Sequence, residues 1–218
     1  MNELEFIRSQ VSTERRHMGA VRTAATNVLA QEGAAASESA QVEFLLACAS
    51  YLVFIVQRFA AQDRAHCRLL RPRLPDNAST DRQTLDELEQ VLDACDAEIA
   101  VLRGAMQGGE MGESGDNVQL ARSAQSAQDS ISPQGLIAAL RAYLSFHANV
   151  LGSRRHALRH LFDAHYSIAD WRATSSVNAD SILEERARYA RVQELLPEGI
   201  ELGPSGDDLP LLATNPGR

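Results

Sequence analysis

The chain has 218 residues, 44% hydrophobic but only 5% aromatic, enough for one domain whose core is built mainly of Leu, Ala, Val and Ile. Its formal charge of −8, with no long basic run, argues against a nucleic-acid partner, since that binding depends on neutralising phosphates. The longest uninterrupted apolar run, Leu52 to Val56, is too short to cross a bilayer, and "MNELEFIRSQ" has neither the basic start nor the apolar block of a signal peptide, so a cytoplasmic protein with no membrane partner is expected.

Helical periodicity runs through most of the chain, and alternating strand patterns are nearly absent. A first helix is expected from Asn2 to Gln31, stopping at Glu32-Gly33. A second starts near Ser37 or Ser39 and reaches about Leu70, where Pro72 and Pro75 end it. A third spans Thr80 to Met106 and closes at Gly108-Gly109. The Gly-, Ser- and Gln-rich stretch that follows reads as a loop with a helical turn or two in its middle. In the fourth, Ser132 is the cap, Pro133 takes the first helical position, and apolar residues recur from Leu136 to Ile168. A shorter amphipathic helix covers Ser181 to Leu196, and a loop-like tail follows.

The expected fold is therefore all-α: an antiparallel four-helix bundle over 1–172, then a short helix and C-terminal tail over 173–218. Cys48, Cys67 and Cys95 are odd in number and unclustered, which fits reduced core thiols. In the tail, Leu209, Leu211 and Leu212 form a short apolar knot, either a frayed end or a segment that docks in a groove of this chain or of a second copy; the pattern leaves a homodimer open.

Each helical residue turns the direction by about 100°. On that basis several polar side chains share the apolar stripes. Arg22 lies on the first helix with Glu14 beside it, Arg58, Gln62 and His66 on the second, and His147, Arg154 and His165 on the fourth. His156 and His160, although spaced like metal ligands, fall nearly opposite the leucine stripe and read as surface residues. Buried charge is costly unless paired, so an interior set of this kind points to a site. One reading is a metal-free pocket for a small anionic metabolite. Arg58 and Arg154 would clamp a carboxylate or phosphate with help from Arg22 and Gln62, and His66 or His147 would act as acid or base. Another is a structural or partner-binding bundle with buried polar networks.

The layout over about residues 10 to 172 also resembles the hemerythrin-like (HHE) family of four-helix bundles. "ERRHMGAV" offers Glu14 or His17 on the first helix, "FAAQDRAHCRLLRP" brings Gln62 and His66 ahead of Pro72, and His165 and Asp170 are five residues apart. The resemblance implies a non-haem iron or other divalent metal held between helices, with Glu14, His17, His66, His147, His165 and Asp170 as candidate ligands. Gln62 stands where the family has a histidine, His66 where it has a carboxylate, and the third helix carries no histidine. A DinB-like bundle with a three-histidine site, drawing on His156 and His160, is the alternative metal-binding layout.

Overall fold

A computed structural model describes residues 3–31, 38–107, 132–152, 161, 165–175 and 177–202. Among them every regular element is helical. These are α1 (Glu3–Ala30), α2 (Glu38–Leu70), α3 (Ser79–Met106), α4 (Pro133–Phe146), α5 (Ile168–Thr174) and α6 (Ala179–Glu194), with a 3₁₀ turn at Arg71–Arg73 and a π-helical turn at His147–Leu151. The chain is all-α, as its periodicity implies. Pro72 falls in the 3₁₀ turn that ends α2. Pro133 opens α4, and the Ser132 hydroxyl accepts from the Gly135 amide at 3.2 Å.

Side-chain pairs give the directions of neighbouring helices. Arg58 of α2 meets Glu14 of α1, and Gln41, earlier in α2, donates to the carbonyl of Val28, later in α1, so the two run antiparallel. Arg64 reaches Asp93 and Asp96, and Arg71 reaches Asp86 and Glu89, which sets α3 antiparallel to α2. On the other side, Arg141 of α4 donates to the carbonyl of Leu29 at 3.0 Å. Phe44, Tyr51, Ile55, Phe59, Leu88, Leu92, Leu140 and Tyr143 are fully enclosed in the core. The three cysteines are buried free thiols, and burial pushes Cys67 up to about 12, so it holds little thiolate near neutral pH.

The expectation of a fourth helix unbroken to Ile168 is corrected. The α-helix passes into the π turn after Phe146; Gly152, Leu161 and His165 are again α-helical, and the backbone is non-helical at Tyr166 and Ser167. There a capping box starts α5 afresh: the Asp170 amide donates to the Ser167 hydroxyl, and the Ser167 amide donates to the Asp170 carboxylate at 2.7 Å. Ser-x-x-Asp at this point is itself a helix-start signal, and it overrides the apolar repeat that runs across it. A second box, Asn178 with Ser181, starts α6 two residues before the expected Ser181.

α2 also differs from its apolar-run reading. By length and composition the stretch Ser39–Arg73 could cross a bilayer, but 61% of its most apolar window is buried against other helices, as in a core helix. α6 lies along α2 with Ile182, Glu185 and Val192 turned inward; Arg188 donates to the Ser50 hydroxyl at 2.6 Å, and Arg191 pairs with Glu43.

Candidate functional site

The seam between α1 and α2, covered by α5 and α6, holds a run of buried polar groups at three levels. At the first, the Glu185 side chain of α6 is fully buried. Its Oε1 accepts from the Tyr51 hydroxyl at 2.8 Å and lies 2.8 Å from His17 Nδ1. Glu185 Oε2 has no hydrogen-bond partner among the described residues. The His17 ring stacks on Tyr189, centroids 3.8 Å apart and planes 8° off parallel, and its side chain is 25% exposed. Burial, reinforced by the Glu185 charge, holds the Tyr51 phenol well above its ordinary value.

At the second level the fully buried Glu14 carboxylate accepts from both terminal nitrogens of Arg58, at 3.3 and 3.0 Å, and from Gln10 at 3.0 Å. Arg58 also lies over the Phe54 ring. Two charges on adjacent helices thus neutralise each other, which makes the burial of both tolerable.

At the third level stand Gln62 and His66, one turn apart on α2 and both buried. His66 Nδ1 meets the Tyr166 hydroxyl, and Trp171 packs edge to face on both rings, with centroids 5.7 Å from His66 and 5.1 Å from Tyr166. Gln62 Oε1 is buried with no hydrogen-bond partner among the described residues. Burial pushes His66 down to about 4; Asp63 opposes the fall and Arg15 adds to it. Arg73 clasps this end, donating to both Asp170 oxygens at 2.7 Å and to the His165 carbonyl at 2.8 Å. That clasp, with the Ser167 bonds, holds the Asp170 carboxyl below the usual carboxylate range.

The sequence-based candidates disperse among these levels. Glu14 is engaged by Arg58, His17 by Glu185, His66 by Tyr166, and Asp170 by Arg73 and Ser167. His147 is buried at the π turn, where the Arg22 guanidinium sits against Nδ1 and lies 3.4 Å from Nε2. His165 is half-buried beside the clasp. Among the described residues no three His, Cys, Asp or Glu side chains converge on a point where a metal would sit. A cation already occupies the space beside Glu14, Asp170 and His147, so these donors do not fit the divalent site that the family resemblance implies. Arg154, His156, His160 and the tail leucines Leu209, Leu211 and Leu212 lie outside the described residues.

Several participants escape the sequence reading, among them Glu185, Tyr189, Tyr166, Trp171, Arg73 and Gln10. Glu185 had a signal, since Ile182, Glu185, Tyr189 and Val192 recur at helical spacing. A separate cleft of about 350 Å³ opens where α1 ends, between α2 and α4. It is lined by Gln41, Gln134 and Arg141 among apolar residues, and Gln41 and Arg141 donate to the last carbonyls of α1, as at a helix end. No family model, curated protein or solved structure matches the chain.

Proposed function

We propose that this protein binds a small molecule in the polar seam between α1 and α2, without a resident metal, and that the ligand presents N–H or O–H donors. The relation to hemerythrin-like bundles would then be one of layout, with ion pairs and hydrogen bonds in place of metal ligands. One observation carries the reading: beside the paired Glu14 and Arg58, Gln62 keeps a buried carbonyl oxygen with no donor among the described residues. A buried acceptor left unmet costs about 1–3 kcal/mol, so a leucine there would suit a purely structural seam better. Glu185 Oε2 repeats the pattern at the other end. An anionic ligand is less suited to the described groups, because the terminal nitrogens of Arg58 are committed to Glu14 and Arg22 lies against His147.

The test is thermal melting of the untagged protein against a panel of primary amines, polyols and amino-acid amides, with Gln62→Leu in parallel. A saturable rise in the melting temperature of the wild type, lost in a Gln62→Leu protein that is itself no less stable, is expected. A lone buried water would satisfy Gln62 equally well; it predicts no shift with any compound, and that result, or a shift retained by Gln62→Leu, overturns the proposal.

A further inference from the structure

We infer that His17 is the proton-accepting group of this seam, oriented by Glu185, and that the ligand it serves carries a weakly acidic N–H, O–H or S–H. The inference builds on the proposed binding seam and names its reacting atom, Nε2. An ionised carboxylate only accepts hydrogen bonds, so Glu185 Oε1, 2.8 Å from Nδ1, requires the proton to sit on Nδ1. Nε2 is then the nitrogen with a lone pair, and it has no hydrogen-bond partner among the described residues. Three features fix the ring. Glu185 is fully buried and cannot swing to solvent, the Tyr51 hydroxyl pins the same oxygen at 2.8 Å, and Tyr189 stacks flat on the imidazole. Partial exposure of the side chain keeps one edge reachable.

The other interior histidines are less suited. His66 faces a phenol rather than a carboxylate, His147 has a guanidinium against its ring, and both are buried. In the step, the ligand's X–H bond breaks and its electron pair stays on X, while an Nε2–H bond forms. The new imidazolium charge faces the Glu185 carboxylate through Nδ1–H. Glu185 keeps its charge, and Tyr51 goes on donating to it. Return of the proton from Nε2 to the product or to water resets the ring. A carboxylate that orients a histidine in this way also stabilises the imidazolium that forms.

Histidine tautomers read by long-range proton–nitrogen NMR on the full ¹⁵N-labelled chain at pH 8 need no ligand, so they test this inference even if the ligand panel fails. A neutral His17 with hydrogen on Nδ1 and none on Nε2 is expected. Diethyl pyrocarbonate should then label His17 readily, and Glu185→Gln should slow that labelling on the order of tenfold, the scale seen when an orienting partner is lost. Hydrogen on Nε2, or a ring still doubly protonated at pH 8 as in a purely structural ion pair, overturns it; so does labelling unchanged in Glu185→Gln. The wild-type spectrum decides the matter by itself if that variant does not fold.

Discussion

His17 and His66 sit on the two helices of one seam, yet their surroundings differ in kind. His17 leans on a buried carboxylate, stacks on a tyrosine and keeps part of its ring exposed. His66 is enclosed by Tyr166 and Trp171, faces a neutral hydroxyl and is held down to about 4 by burial. The contrast shows that reaching the interior does not by itself make a histidine chemically available. A fixed acceptor on one nitrogen and access to the other matter more. Between the two lies the Glu14–Arg58 pair, which separates the Glu185 end of the seam from the His66 end.

The largest expected effect comes from breaking that divider. Glu14→Leu leaves Arg58, 12% exposed, without its buried partner and should cost about 3–5 kcal/mol in urea unfolding. Glu14→Leu combined with Arg58→Leu should recover most of the loss. A double variant no more stable than the single one would mean that the pair does more than cancel its own burial.

The next sharpens the His66 side through pH. Its folded-state value lies below the ordinary 6.5, so the fold favours the neutral ring. Its contribution to stability is complete above pH 6.5, falls as the pH drops toward 4, and changes no further below that. Across this window the loss should be about 3 kcal/mol. His66→Gln should flatten that part of the stability–pH curve, whereas His17→Gln should leave it in place. Below pH 4 a further loss should appear as Asp170 is forced to protonate, because its carboxyl is held low by Arg73 and Ser167; Arg73→Gln should shrink it.

A smaller effect compares the two acceptors without donors. Gln62→Leu should leave the protein as stable as before or raise stability by about 1 kcal/mol, since it removes an unmet buried carbonyl. Glu185→Leu should instead lower stability, because it strips the acceptor from Tyr51 and His17 together. Equal losses in both would make Gln62 a matched structural group. The smallest effect is optical. Trp171 is the sole tryptophan and packs against the His66 ring, so its emission should fall as His66 gains its proton near pH 4 and hold steady through neutral pH.

Much of this arrangement was legible in the sequence. The ends of α1, α2 and α3 follow from Gly, Pro and the apolar repeat, and helical phase alone turned Arg22, Arg58, Gln62, His66 and His147 inward. Phase gives direction but not partners. It could not tell that Arg58 faces Glu14 and so is spent before any anion arrives, or that Asp170 belongs to a capping box and to Arg73. The break at Tyr166–Ser167 was hidden because leucines and isoleucine continue at helical spacing across it, while the competing signal is only a serine and an aspartate. Glu185 was obscured by the charges around it in "LEERARY", although its spacing from Ile182 and Val192 marked it as inward.

The most direct test of a seam that works without metal is thermal melting of the untagged full chain, first after exhaustive chelation and then with ferrous or zinc ion added back, with metal content measured alongside. Because the whole chain is assayed, His156, His160 and Arg154 are included. The account predicts the same melting temperature throughout and no bound metal in simple ratio to protein. A stoichiometric metal whose removal lowers the melting temperature and whose return restores it, as linkage requires of a ligand of the folded state, would contradict it.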